Sequence, residues 1–202
     1  AGFIPEYDAL PLPTAIVPPF PHQPEGHSGT RTLQCTGAVR AYAEAARGRS
    51  DEAARSLGLA ARDDADIADR MAGLIAAAPG LDLTELDLAS LRSRLLDPPP
   101  ERGAGPETLL YITSSPGMDA VIDRYVAGLL YAAEGDLGEA RRTADALANE
   151  PAADERLRDD LGRGLRAEVL RREGDLAGAL SELEDIRFST WHQAATGSPF
   201  HA

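Results

Sequence analysis

From Val39 to Ile186 the apolar residues recur every three or four positions, which is the spacing of one face of an α-helix. Glycine, proline or a polar capping residue separates each apolar stripe from the next. Eight stripes follow one another, so the pattern predicts an all-α fold of packed antiparallel helices. The predicted stripes begin at Val39, Ala53, Ile67, Leu88, Met118, Leu137, Leu157 and Leu176.

Polar residues before several stripes predict where the helices start. Ser50 and Thr84 are suitable N-caps for the second and fourth helices. Ser115-Pro116 combines a cap with proline at the first helical position and predicts the start of the fifth helix. The stretch Thr108–Thr113 just before it fits either a strand or a short helix.

One tripeptide occurs twice at the boundary between two stripes. Gly135-Asp136-Leu137 and Gly174-Asp175-Leu176 each end one helical pattern and open another, 39 residues apart. Two helix–turn–helix units of the same design, adjacent in the chain, predict a solenoid-type repeat.

The residues around these turns resemble the tetratricopeptide repeat (TPR), a helix pair with small residues where the helices cross. The matching positions are Gly128, Tyr131, Gly135 and Ala140 in one unit, Ala167, Gly174 and Ala179 in the next, and Ala41, Gly48, Ala53 and Leu57 in a weaker copy. Arg124 stands where the family often has Trp, Ala144 replaces a large residue, and the spacing exceeds the family's period of about 34. The resemblance implies a right-handed superhelix that binds proteins, like the arrays attached to bacterial signalling kinases and transcriptional activators.

Proline and glycine divide the chain into four segments. Seven of the 15 prolines lie between Pro5 and Pro24, so residues 1–35 are predicted to be an extended arm. Its apolar side chains suggest that it packs on the helices, although a tether to a neighbouring domain fits the same composition. Residues 36–97 are the predicted N-terminal helical half, 98–106 a Pro/Gly hinge loop, and 107–202 the TPR-like half. Ser198-Pro199 repeats the helix-start signature, which indicates either a truncated further repeat or an ordinary tail.

Composition and charge exclude several classes of protein. The net charge of −13 makes nucleic acid and anionic membranes poor partners. Residues 101–202 carry 19 acidic residues against 11 arginines, so a basic partner is expected to dock there.

The chain has no lysine, which excludes P-loop and Schiff-base chemistry. No apolar stretch is long enough for a membrane span, so a cytoplasmic location is expected. The first residue is Ala1, which leaves a processed or exported form open.

Candidate chemical groups are few. The acidic run Asp63–Asp69 suggests a metal site, but acids in a first helical turn also complement the helix dipole, and the second interpretation is favoured. His22, His27 and Cys35 form another candidate metal set, on a Pro-rich arm that makes a poor cage for zinc. No nucleophile elbow, zinc-protease or dinucleotide motif is present. The sequence therefore predicts no enzyme activity, no cofactor and no bound metal.

The sequence thus favours a non-catalytic protein–protein interaction module: a scaffold, or the partner-sensing part of a larger bacterial regulatory protein. A peptide or helix is expected to bind the concave face of the first helices, and the arm to occupy that groove when no partner is bound. Arg142, Arg166 and Arg171 are the predicted clamps for a carboxylate of the partner. Other domains of the same polypeptide are further candidate partners. The alternatives are a small all-α metal-dependent enzyme using Asp63–Asp69, and a structural subunit of a large assembly.

Overall fold

The computed structural model describes residues 30–81, 83, 86–97 and 117–186. Within these residues the chain forms eight α-helices and no β-strand, which confirms the predicted all-α class. The helices are α1 (Thr30–Ala45), α2 (Ser50–Asp63), α3 (Ala65–Ala77), α4 (Leu88–Leu96), α5 (Asp119–Glu134), α6 (Leu137–Leu147), α7 (Glu155–Glu173) and α8 (Leu176–Glu184).

The first helix starts earlier than the sequence predicted. Helix α1 begins at Thr30, inside the segment 1–35 that was expected to be extended. Pro24 is the last proline before it, so nothing in residues 30–35 removes a backbone donor or clashes with a helical turn.

Two predicted caps also shift. Helix α2 begins at Ser50 itself, and the cap position falls on Arg49, whose side chain makes no capping hydrogen bond. Helix α4 is capped by Asp87 rather than Thr84, because Asp87 Oδ1 accepts a hydrogen bond from the Ser90 amide at 3.1 Å.

Several predicted features lie outside the described residues. They are the arm up to residue 29, the hinge at 98–106, the segment Thr108–Thr113, the helix start at Ser115-Pro116, and Ser198-Pro199.

The helices pack in a consecutive stack. Each helix from α2 to α7 packs both on the preceding helix and on the following one. The odd-numbered helices also contact one another in order, α1 with α3, α3 with α5 and α5 with α7. Helix α5 lies at the centre, against α3, α4, α6 and α7, and 10 of its 16 residues are buried.

The core is continuous along this stack. One apolar cluster extends from Ala38 of α1 to Leu165 of α7. Alanines form the α1 part of the cluster, at Ala38, Ala41 and Ala45, whereas leucine and valine side chains fill the part around α5. Small residues let helix axes approach closely, which explains how a chain with only 5% aromatic residues fills its core.

Three hairpins share one turn geometry. Helices α1, α5 and α7 are each followed by a glycine with positive φ, namely Gly48 (71°), Gly135 (85°) and Gly174 (88°). The residue after each glycine donates a backbone hydrogen bond of 2.9 Å to the carbonyl five residues earlier, from Arg49 to Glu44, Asp136 to Tyr131 and Asp175 to Leu170. This is the Schellman arrangement, in which glycine adopts the left-handed conformation at little cost.

Candidate protein-binding surfaces

An open groove of about 620 Å³ lies between α2 and α3, next to the segment that precedes α4. Its apolar lining consists of small residues of the two helices, Leu57 of α2, and two leucines of that segment. These residues are Ala54, Leu57, Gly58, Ala61, Ala68, Ala72, Leu83 and Leu86. A volume of this order is typical of sites that bury a ligand or a few side chains of a peptide.

Charged side chains at the edge of the groove are held by ion pairs. Arg55 donates a hydrogen bond to Glu52 at 3.1 Å, one turn earlier on α2. Asp69 accepts hydrogen bonds from Arg94 of α4 at 2.8 and 3.0 Å, and these bonds raise the pKa of Arg94 above its usual value. The groove therefore has an apolar floor and a fixed polar edge.

The three predicted clamp arginines lie on two helices and each has an intramolecular partner. Arg142 of α6, with 70% of its side chain exposed, pairs with Glu139. Arg166 of α7 donates to Glu182 of α8 at 3.2 Å. Arg171, near the end of α7, donates two hydrogen bonds to Glu168 at 2.7 and 2.8 Å.

These arginines do not form one cluster in the described structure. Arg166 and Arg171 are five positions apart on α7, so they project about 140° apart around the helix axis. No hydrogen bond or ion pair found in the described residues joins one of the three to another. A partner carboxylate would have to compete with Glu139, Glu182 or Glu168 for these arginines.

Further ion pairs connect the last three helices. Arg141 of α6 pairs with Glu173 of α7. Arg163 of α7 lies 2.8 Å from Asp185, which follows α8. Several acidic residues that were predicted to attract a basic partner therefore already neutralise arginines of the same chain.

The TPR motif positions of the first unit lie where α5, α6 and α7 meet. A Cβ atom at Gly128 would overlap Leu165 Cδ2 and would lie 3.1 Å from Thr143 Cγ2, so a larger residue would force these side chains to move. Ala140 is fully buried in a small cluster with Ala132 and Val169.

The other motif positions are in the turns or at helix contacts. Tyr131 is half-buried, and the guanidinium of Arg92 lies over its ring, 4.3 Å from the centroid. Gly135 and Gly174 form the left-handed turns described above. Ala167 of α7 and Ala179 of α8 are both buried.

Sequence reasoning missed the contacts that join α3 to α5. A Cβ atom at Gly73 would overlap Val126 Cγ1, so this glycine allows the two helices to approach closely. Arg70 of α3, 2% exposed, donates to Asp123 of α5 at 2.6 and 3.2 Å. The sequence does show that Arg70 and Asp123 are each a charged residue within an apolar stripe. It does not show that these two stripes face each other.

The acidic run Asp63–Asp69 has structural roles. Asp64 caps α3 by accepting hydrogen bonds from the Asp66 and Ile67 amides at 3.1 and 3.0 Å, and Asp69 pairs with Arg94. In the part of the chain that the structure describes, no group of three or more His, Cys, Asp or Glu side chains is arranged to hold a metal ion. The side chains of His22, His27, Cys35 and Asp63 lie outside that part.

No described helix combines the length and apolar character that a membrane span requires. No family model matches the chain, and no curated protein or solved structure is significantly similar to it. The resemblance to TPR repeats consequently stays a prediction from the motif positions.

Proposed function

We propose that the chain is a non-catalytic protein–protein interaction module built as a TPR-like helical array, acting as a scaffold or as the partner-sensing part of a larger regulatory protein. The observation that carries the proposal is the repeated hairpin. Three hairpins close with the same left-handed glycine turn, and their first helices, α1, α5 and α7, belong to a series of contacts that α3 completes between α1 and α5. Helix pairs that contact mainly their neighbours are the organisation of a solenoid, and solenoids present long surfaces to other proteins.

The α2–α3 groove is the surface that suits a peptide or helix best. Its floor is apolar and its edge carries Asp51, Arg55 and Asp69, as expected for a site that takes one face of an amphipathic helix. The net charge of −13 favours a basic partner peptide. By contrast, α5 is so deeply packed that little of it is available to a partner.

A peptide selection tests the proposal. We would pan a phage-displayed library of random peptides on the immobilised full chain and titrate the enriched sequence, made synthetically with a fluorophore, by fluorescence anisotropy. The variant Gly58→Phe fills the groove, because a Cβ at Gly58 meets nothing within 4 Å. It should weaken peptide binding by about tenfold or more.

The matched control is Gly138→Phe on α6, another exposed helical glycine, which lies outside the groove lining. A triple variant replacing Arg142, Arg166 and Arg171 by alanine tests the predicted carboxylate clamp in the same assay. Failure of the library to enrich any peptide would contradict the proposal. If Gly58→Phe binds the peptide as tightly as the parent chain does, the α2–α3 groove is not the binding site.

The competing interpretation as a metal-dependent enzyme has its own test. A magnesium or zinc ion bound at Asp63–Asp69 would raise the melting temperature of the chain, since a ligand that binds the folded state stabilises it. We expect no shift with either ion, because Asp64 and Asp69 already accept hydrogen bonds from the protein. A shift that Asp69→Asn abolishes would favour the enzyme instead.

A further inference from the structure

Three charged residues line the α2–α3 groove, and two of them are already neutralised by the chain itself. Arg55 pairs with Glu52 at 3.1 Å, and Asp69 pairs with Arg94 at 2.8 Å. The third, Asp51, is exposed, and within the described residues no hydrogen bond or ion pair reaches its carboxylate. Asp51 is therefore the lining charge that stays available to a partner.

The neighbouring arginines leave this carboxylate uncompensated. Arg49, two positions earlier in the chain, pairs with Glu44 of α1. Arg47 follows α1 and lies outside the groove lining. A basic side chain of a partner would therefore supply the counter-charge that these residues do not.

Small residues on both helices leave room in the groove for bulky side chains of a partner. They are Ala54, Gly58 and Ala61 of α2 and Ala68 and Ala72 of α3. At Gly58 an added Cβ atom would meet nothing within 4 Å, so the groove is open at this point. Large apolar side chains are needed to fill such a space, because an unfilled gap loses van der Waals contacts.

Asp51 lies near one end of the groove. Along α2 the lining extends from Ser50 to Ala61, which is about 16 Å at 1.5 Å per residue. Three turns of a partner helix, about eleven residues, cover that length. The basic residue that meets Asp51 should accordingly lie at one end of the apolar face of the partner.

We propose that Asp51 selects the partner of the groove: an amphipathic peptide helix with large apolar residues on one face and a basic residue at one end of that face. The inference rests on the proposed function, because it names the chemistry of the peptide that the groove would bind. The Asp51 carboxylate accepts hydrogen bonds from the ammonium or guanidinium group of that basic residue. It rejects a peptide with an acidic residue at the same place, because like charges repel.

Parallel peptide selections on the full chain test this inference. We would pan one phage-displayed library of random peptides, each about twelve residues long, on the parent chain and on Asp51→Arg. Peptides enriched on the parent should carry arginine or lysine at one end of an apolar pattern with helical spacing. Peptides enriched on Asp51→Arg should carry aspartate or glutamate at that position instead.

A titration then measures the charge contact directly. The peptide enriched on the parent is made synthetically with a fluorophore and followed by fluorescence anisotropy. Asp51→Asn keeps the size of the side chain and removes its charge, so it should weaken binding about three- to fivefold, as for an exposed ion pair. Asp51→Arg should weaken binding further, and replacing the basic residue of the peptide by glutamate should restore binding to this variant. Far-UV circular dichroism checks that the helices remain, and Asp51→Asn decides the test if Asp51→Arg does not fold.

The matched controls are Asp145→Asn and Asp145→Arg. Asp145 is also an exposed helical aspartate, but it lies on α6 and outside the groove lining. Both controls should select and bind the same peptides as the parent chain, which separates a local contact from the general attraction of a chain with a net charge of −13 for basic peptides.

Two results would overturn the inference and leave the proposed function standing. One is a set of enriched peptides without a basic position. The other is a basic position that Asp51→Asn and Asp51→Arg leave unaffected. A library that enriches no peptide on the parent chain would overturn the proposed function and this inference together.

Discussion

Arg70 Nε lies 2.6 Å from Asp123 Oδ1, and this ion pair is buried at the contact between α3 and α5. Arg70 Nη1 also lies 2.9 Å from Asp119 Oδ1. The side chain of Asp119 is exposed, so the ion-pair network reaches the protein surface. Burial by itself lowers the pKa of Arg70, but the hydrogen bonds and charges of Asp123 and Asp119 outweigh it and hold the pKa above its usual value. The pair therefore joins the N-terminal helices to the central helix α5 through a charge that remains ionised.

Replacing Asp123 by alanine should destabilise the chain strongly. It leaves the Arg70 guanidinium buried without its main counter-charge, and breaking a buried pair in this way costs about 3–5 kcal/mol. Urea denaturation followed by circular dichroism would measure the loss. Asp119→Asn is the control, because the exposed Asp119 should contribute less than about 1 kcal/mol.

The double variant Arg70→Met/Asp123→Leu measures how much the ion pair itself contributes to the free energy of unfolding. In Asp123→Ala that contribution is combined with the cost of burying the unpaired Arg70 charge. Apolar residues of similar size remove both charges together, so the double variant should be clearly more stable than Asp123→Ala. A double variant as unstable as the single one would show that the interface needs the charges themselves.

Two glycine substitutions should change stability in opposite directions. Gly73→Ala places a methyl group against Val126 at the α3–α5 contact, and such overpacking costs about 1–3 kcal/mol. Gly58→Ala, in the open part of α2, meets nothing within 4 Å and should stabilise the chain by about 0.5–1 kcal/mol through helix propensity. Thermal denaturation of both variants compares them directly, and a Gly73→Ala variant as stable as the parent would contradict the close approach.

The aspartates of the repeated turn should contribute equally to the two hairpins. Asp136 Oδ1 accepts a hydrogen bond from the Glu139 amide at 3.1 Å, and Asp175 Oδ1 accepts one from the Gly178 amide at 2.9 Å. Alanine at either position should lower the free energy of unfolding by about 1 kcal/mol. Asp145→Ala, on the exposed side of α6, is the control and should have little effect in the same denaturation assay. A large difference between Asp136→Ala and Asp175→Ala would argue against equivalent turns.

The local features of the fold could be predicted from the sequence, and the contacts between helices could not. Helical spacing of apolar residues predicted the eight helices, because each stripe is long and bounded by strong stop signals. The Gly135 and Gly174 turns followed from short-range chemistry that a few neighbouring residues reveal. Gly48 was matched only as part of a weaker copy, since Arg49 stands where the other two turns have a capping aspartate.

The candidate binding surfaces depend on which faces meet in three dimensions. Ala61 and Ala72 line one groove only because α2 packs beside α3 and leaves a gap that small side chains do not fill. Arg142, Arg166 and Arg171 were chosen for their charge, but charge alone does not reveal that each has a carboxylate partner in the same chain. Periodicity assigns a residue to a face of its own helix and says nothing about the neighbour of that face.

Glu168 should make the stability of the chain depend on pH in the acidic range. Burial raises the pKa of this carboxyl group, but hydrogen bonds from Arg171 at 2.7 Å and Arg172 at 2.6 Å outweigh it and hold the pKa below its usual value. A lowered folded-state pKa stabilises the protein above the unfolded-state pKa, and this contribution is lost as pH falls through the folded-state value. At neutral pH Glu168→Gln should therefore be less stable than the parent chain. The difference in urea midpoint should shrink as pH falls below about 4.5, the ordinary pKa of a glutamate. Glu184→Gln, an exposed change on α8, should follow the parent curve throughout, and a constant gap between Glu168→Gln and the parent at all pH values would refute the assignment.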